Sequence, residues 1–298
     1  MVNGAITAMI TPMFDGGNID YKGFINQLYY QLKNDIRGVV VLGTTGEAPQ
    51  IEKNERKKLI KLAVKKFKSP DKRFVFVGTT SENYKETIEN TIQARELNAD
   101  AALVSVTPYI KPPTSGLVNY FLKVADIMPT IVYDIPSRTG RAIQLDEFQK
   151  IAEHPNIVGV KAASGDIDQI ASLIQNVAMP LRRDGRDFYV WSGDDAMTVR
   201  VCEAGGNGVI SVVSNLLPSS VQSMARGDTK WANAVADKLA PAMKAAFTEN
   251  NPVAIKYMMW YAGMIGSNEV RPTLGQLLPE SKAFVESVVK KYFKNVRQ

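Results

Sequence analysis

The sequence predicts an α/β protein, a TIM (β/α)8 barrel followed by a C-terminal helical extension. Two observations carry this. Eight apolar, strand-like runs recur at intervals of about 20 to 35 residues, most separated by helix-like stretches. Alternating strands and helices give a parallel sheet, and eight such units close a barrel. After Ser214 no strand-like run follows and the remaining segments read as helices. An open doubly wound sheet is the alternative, but the dinucleotide-binding G-x-G-x-x-G is absent after the first strand.

The strand-like runs are, in order, GAITAMITP from Gly4, GVVVLGTTGE from Gly38, RFVFVGTT from Arg73 and AALVSVTPY from Ala101. They continue with TIVYDIPS from Thr130, IVGVKAAS from Ile157, FYVWSGD from Phe188 and NGVISVVS from Asn207. NYKETIENTIQARELNA and DEFQKIAEHP read as intervening helices, and DAMTVRVCEAGG, between the last two strands, has room only for a short one. The helical tail comprises SSVQSMARGD, TKWANAVADKLAPAMKAAFTE, NPVAIKYMMWYAGMIG and SKAFVESVVKKYFKNV. The expected division is a barrel over 1–224 and an extension over 225–298. Met258, Met259, Trp260 and Met264 in the tail read as packing or oligomer surface.

Composition removes several functional classes. At 298 residues and 45% hydrophobic content the chain can bury a large core. The N-terminal residues lack the pattern of a signal peptide, and no apolar run approaches a membrane span. The expectation is a cytoplasmic protein with no membrane partner. A single cysteine, Cys202, excludes an intramolecular disulfide, and a single histidine, His154, leaves little with which to bind zinc. No metal site is expected, although this count leaves a carboxylate-bound Mg²⁺ open. Much of the excess behind the net charge of +6 lies between Glu52 and Arg73. There Leu59, Leu62, Ala63 and Phe67 recur at helical spacing, so the lysines form the solvated face of an amphipathic helix. Nucleic-acid binding would need aromatic interleaving or a recognisable module, and neither is present.

Chemistry in a barrel collects at the C-terminal ends of the strands. NIVGVKAASGD places Lys161 near the end of strand six among Val158, Val160, Ala162 and Ala163. By alternation Lys161 shares a face with Ile157 and Gly159, the glycine leaving room beside a long side chain, while Val158 and Val160 face the helices. The same parity puts Tyr133 with Ile131 and Ile135, so an inward tyrosine and an inward lysine stand on adjacent strands. A lysine of ordinary pKa is neutral in only about one molecule in 2,500 at pH 7, burial raises that fraction, and a neutral amine attacks carbonyls. Schiff-base chemistry, a snorkelling structural lysine and an ion pair with Asp166 or Asp168 all fit these residues. Gly43-Thr44-Thr45-Gly46 offers amides and hydroxyls at a helix start, suited to a small anion or simply a tight turn. Arg138 suits a carboxylate or a surface ion pair, and Gly193 at the end of strand seven is a further candidate substrate contact. His154 reads as structural, Cys202 as core, and Lys256 as a helix-surface residue.

Taken together, GTTGEAP, VTPY, YDIPSRTG, GVKAASGD, WSGDD, GGNGVISV and NPVAIK resemble, in order and over almost the whole chain, the dihydrodipicolinate synthase / N-acetylneuraminate lyase family of pyruvate-dependent class I aldolases. The resemblance implies a TIM barrel with a helical extension, a homotetramer built as a dimer of dimers, and no separate cofactor. Lys161 would carry a covalent pyruvate imine, with Tyr133 as the acid/base residue and Thr44 relaying protons. Thr45 would hold the pyruvate carboxylate through its side chain and amide, and the Ile210 carbonyl would lie beside the pyruvate. PSRTG favours the synthase branch, in which Arg138 would bind the carboxylate of L-aspartate-4-semialdehyde at the entry step of lysine and diaminopimelate biosynthesis.

Three positions depart from the synthase pattern. Ile110 stands where a relay tyrosine is usual, Ala162 follows the lysine in place of Glu, and Asp134 replaces the common Asn of YDIP. Isoleucine cannot carry a proton, so a lyase cleaving N-acetylneuraminate or a 2-keto-3-deoxy sugar acid is the alternative reaction. A catalytically dead barrel is a third reading, opposed by the presence of Lys161, Tyr133 and Thr44. Lys53 and Arg56 fall in the family's lysine feedback site and are mismatched to a cationic effector, so weak or absent lysine inhibition is expected.

Overall fold

A computed structural model describes residues 3–68 and 73–297; residues 69–72 of the basic stretch lie outside it. Its strands are Gly4–Ala8 (β1), Gly38–Val41 (β2), Phe74–Gly78 (β3), Ala101–Ser105 (β4), Thr130–Asp134 (β5), Ile157–Ala162 (β6), Tyr189–Ser192 (β7) and Gly208–Ser211 (β8). Each pairs in parallel with the next, and β8 pairs with β1 to close the barrel. The open-sheet alternative is thereby excluded.

Helices follow the strands. They are Tyr21–Lys33 (α1), Lys53–Phe67 (α2), Tyr84–Glu96 (α3), Thr114–Ala125 (α4), Pro136–Thr139 (α5), Leu145–Ala152 (α6), Ile167–Leu173 (α7), Met179–Arg183 (α8) and Thr198–Glu203 (α9). A π-helical turn, Ile174–Ala178, joins α7 to α8. The tail contributes Pro218–Arg226 (α10), which spans the expected 224/225 boundary, then Thr229–Ala246 (α11), Val253–Tyr261 (α12) and Pro279–Tyr292 (α13). Local sequence explains several boundaries. Glu52 and Glu55 form a capping box that starts α2, and Asn83 caps α3. α2 buries Leu59, Ile60, Ala63 and Phe67 and leaves most of its lysines in solvent, as its periodicity predicts.

Strand alternation sorts side chains into two cores. Val39, Val41, Val75, Val77, Val132, Val160 and Val190 face the helices. Ile6, Val40, Phe76, Leu103, Ile131, Tyr133, Trp191 and Ile210 fill the barrel. Alternation alone mispredicts the start of β6. There the register slips, with Thr130 opposite Ile157 but Ile131 opposite Gly159. Ile157 therefore joins the outer core and Val158 packs against the inner one, the reverse of the sequence expectation. Gly159 permits this close approach: a Cβ on it would lie 2.3 Å from the Tyr189 carbonyl oxygen. Its job is to admit the backbone of β7 rather than to make room for a lysine. Beyond the slip, Lys161 pairs with Tyr133 on one side and Trp191 on the other, both inward residues.

Candidate active site

Lys161 is 5% exposed, with its Nζ 4.2 Å from the centre of the Tyr133 ring. Two structural readings of this lysine lapse. At that exposure it does not snorkel to water. Asp166 is occupied as the cap of α7, accepting from the amides of Asp168 and Gln169, and no acid among the described residues forms an ion pair with Lys161. Ile210 lies in the same inner layer, fully buried. Gly193 closes β7, its amide donating to the Ala162 carbonyl at 2.6 Å, and a Cβ there would meet that of Ala163 at 2.6 Å.

Above Tyr133 opens a cavity of about 350 Å³, lined by Thr44, Ser105, Tyr133, Arg138 and Asn251 among others. That is room for two small substrates. Lys161, Thr45 and Ile210 are buried and lie outside its lining, while Gly193 borders a separate cavity of about 640 Å³ beside α11. The Gly43–Gly46 turn closes on itself, Gly46 N–H donating to the Gly43 carbonyl and Glu47 N–H to that of Thr44. The amides of Thr44 and Thr45 make no backbone hydrogen bond among the described residues. The turn leads into a single 3-10 turn, Ala48–Gln50, so its anion-binding capacity rests on free amides and hydroxyls rather than on a long helix dipole. Arg138 rides on α5, exposed, its Nη2 3.4 Å from the Asn251 carbonyl oxygen and in no ion pair among the described residues.

The expectation for Lys256 fails. It is fully buried, its Nζ 2.7 Å from Glu47 Oε1 in a pair with no exposure on either side chain. Burial pulls its pKa down and Glu47 opposes that shift. The second Glu47 oxygen accepts from the Arg271 amide at 2.9 Å. Asn251, one turn before Lys256, donates from Nδ2 to Thr45 Oγ1 at 2.9 Å. The sequence analysis missed Asn251 and Glu47 as site residues. For Lys256 a signal was present: VAIKYMMW is apolar on every face of α12, and a lysine in such a helix is buried and therefore paired.

The remaining candidates are peripheral. His154 Nδ1 accepts from the Asn156 amide at 3.1 Å, a structural use. Cys202 is half-buried rather than core, and burial pushes its thiol up to about 11, which leaves it unreactive at neutral pH. Met258 and Met259 are buried packing residues. Tyr109 and Ile110 protrude after β4, 92% and 60% exposed. Asp134, at the end of β5, is buried and accepts from the Ile143 amide at 3.2 Å; desolvation raises its pKa to about 6. Among the described residues no cluster of acidic, histidine or cysteine side chains could hold a metal, and no helix is long and apolar enough to cross a membrane.

Comparison with known proteins agrees with the barrel fold. A sequence profile of the dihydrodipicolinate synthetase family matches residues 1–292. The chain is similar to the 4-hydroxy-tetrahydrodipicolinate synthase of Kosmotoga olearia, 40% identical over 300 residues, covering 98% of this chain and 97% of the relative. It is also similar to that of Methanococcoides burtonii, 36% identical over 296 residues, covering 97% and 98%. Among solved structures, dihydrodipicolinate synthase from Thermotoga maritima superposes with a TM-score of 0.90 at 34% identity, covering 98% of each chain.

Proposed function

We infer the reaction from one premise: the chain belongs to the dihydrodipicolinate synthetase family. It catalyses the 4-hydroxy-tetrahydrodipicolinate synthase reaction, a class I aldolase-type condensation of pyruvate with L-aspartate-4-semialdehyde in lysine and diaminopimelate biosynthesis. The observation that carries the site assignment is the buried Lys161, in no ion pair among the described residues, lying against the ring of Tyr133, which itself lines a cavity sized for small substrates.

In this reading the Lys161 amine adds to the pyruvate ketone carbon and the ketone oxygen leaves as water, forming an imine. Loss of a methyl proton converts the imine to an enamine, whose carbon attacks the aldehyde. Every step moves a proton, and Tyr133 is the acid/base group, relayed by Thr44. One positioned acid/base contributes about 10² to 10⁴-fold. Thr45 and the free amides of the turn receive the pyruvate carboxylate, the Ile210 carbonyl and Gly193 flank the pyruvate, and Arg138 at the mouth takes the carboxylate of the semialdehyde. No cofactor is required, since the electron sink is the covalent imine itself. The protruding Tyr109 and Ile110 supply apolar surface for a second copy within a homotetramer, which sedimentation would test.

The decisive experiment is borohydride reduction in the presence of pyruvate, followed by peptide mass spectrometry and a turnover assay with aspartate semialdehyde. A reduced pyruvyl adduct on Lys161 together with turnover is the expected result. Absence of an adduct on folded protein would overturn the mechanism, and an adduct without turnover would assign another aldehyde.

A further inference from the structure

We propose that Asn251, contributed by the C-terminal extension, is a positioning residue for the anion site: its amide fixes the Thr45 hydroxyl as a donor toward the carboxylate of the 2-oxo acid. This rests on the Schiff-base reading above and adds to it a residue that touches neither the substrate nor the amine.

A threonine hydroxyl has one hydrogen to give and lone pairs to accept with. Asn251 Nδ2 donates to Thr45 Oγ1 at 2.9 Å, both groups being buried. With the amide in this orientation the bond occupies a lone pair, turns the hydroxyl hydrogen away from Asn251 and leaves Asn251 Oδ1 buried without a partner of its own. Among the described residues the hydrogen has no acceptor of its own. A buried donor without an acceptor is costly and is satisfied by what the site binds. The neighbouring amides of Thr44 and Thr45 are also without backbone partners. One turn thus holds three donors without protein acceptors among the described residues, the kind of set a carboxylate takes. Asn251 also lines the cavity, and its backbone carbonyl receives Arg138 Nη2 at 3.4 Å, so one residue braces both proposed carboxylate contacts. Its own place is held by the Lys256–Glu47 pair, which joins the same two segments a second time.

The test measures the pyruvate concentration that half-saturates adduct formation on Lys161, alongside KM and kcat. Asn251→Ala should raise the half-saturating pyruvate about tenfold, the cost of one charge-assisted bond losing its orientation, and leave kcat within about twofold. In a Thr45→Val background the same change should add less than twofold, because both substitutions remove one interaction. Asn251→Asp keeps the shape and carries a distinct signature. Ionised, it can only accept, so Thr45 must donate to it and the anion site loses its donor. Protonated, it regains one. Its deficit relative to wild type should therefore shrink as pH falls from 8 to 6, which a merely structural role would not produce. Unchanged half-saturation in the folded Asp variant, or fully additive effects in the double variant, would overturn the proposal while the wild-type adduct stands. No adduct on wild-type protein would overturn this proposal together with the reading beneath it.

Discussion

The two walls of the site are made in different ways. Tyr133 and Lys161 stand opposite one another on β5 and β6, held in register by the barrel ladder. Thr45 and Asn251 are 206 residues apart and meet only because the C-terminal extension folds back over the loop after β2. In the proposed mechanism the strand-borne wall carries the covalent chemistry, where misplacement by an ångström is costly. In the same proposal the loop-borne wall carries substrate recognition, and a buried ion pair between Glu47 and Lys256 ties its two segments together. Damage to the first should appear as lost turnover in a folded protein. Damage to the second should appear as lost stability and weakened pyruvate binding.

The largest expected effect comes from the strand-borne wall. Lys161→Ala should abolish borohydride trapping and cut turnover by about 10⁴ to 10⁶-fold, as removal of a covalent nucleophile does, with its melting temperature essentially retained. Tyr133→Phe should retain trapping at long incubation but slow turnover by about 10² to 10⁴-fold. Full trapping in the alanine variant, read by peptide mass spectrometry, would break the comparison at its root.

On the loop-borne wall, Lys256→Met leaves Glu47 buried without its counter-charge. Breaking one side of a buried pair costs about 3 to 5 kcal/mol, so denaturant unfolding should show a large loss of stability. Glu47→Gln with Lys256→Met together should recover much of it, since no uncompensated charge is then left. Pyruvate half-saturation should rise in the single variant because Asn251 loses its anchor. A single variant as stable as wild type would mean that the extension is held by its helix packing alone.

This asymmetry also decides what the sequence could reveal. The barrel was legible because its strands are apolar on both faces and bounded by helices, and Lys161 was legible because a charge in such a strand is anomalous. The bulge at the start of β6 was not, because period-2 reasoning has no term for a slip, and the only hint was Gly159. Lys256 was misread because it was judged as an isolated helical lysine rather than by its apolar neighbours on every face. Its partner Glu47 lies 209 residues away, in a turn whose chemistry was assigned to the threonines. Pairings between distant loops carry no local signature, so Asn251 could be named only from the structure.

A smaller effect lies at the edge of the strand-borne wall. Burial raises the Asp134 carboxyl from its usual 3.8 to about 6. Between those values the folded state holds a proton that the unfolded chain has released, so stability falls as pH rises through the window and the loss is complete above about 6. Asp134→Asn removes the ionisation and still accepts from the Ile143 amide. It should stabilise the protein at pH 7.5 by about 3 kcal/mol, at roughly 1.4 kcal/mol per unit of pKa, and change little near pH 4. A stability gain independent of pH would assign the effect to packing.

The smallest expected effect is none at all, and it tests the outer side of the loop-borne wall. Behind Ala48 and Pro49 lies a second cavity of about 500 Å³ lined by Lys53, Arg56, Glu82 and Glu86. It shares Ala48, Pro49, Gln50, Thr80, Glu82 and Pro108 with the cavity beside Tyr133, so an occupant would border the 3-10 turn that follows Gly43–Gly46. Arg56 is buried and tied to the Gly78 carbonyl at 2.9 Å. Burial lowers its pKa to about 10, which leaves it protonated at neutral pH. Glu86 accepts from Ser81 Oγ at 2.7 Å and Lys53 lies 3.6 Å from Glu89, so of the two acids lining this cavity Glu86 is already engaged. An effector of net positive charge entering here meets a fixed cation it cannot displace. Initial rates should therefore stay flat across millimolar lysine at pH 7 and at pH 8, and inhibition in that range would show that Glu82 and Glu86 outweigh Arg56 and that this wall is regulated as well as structural.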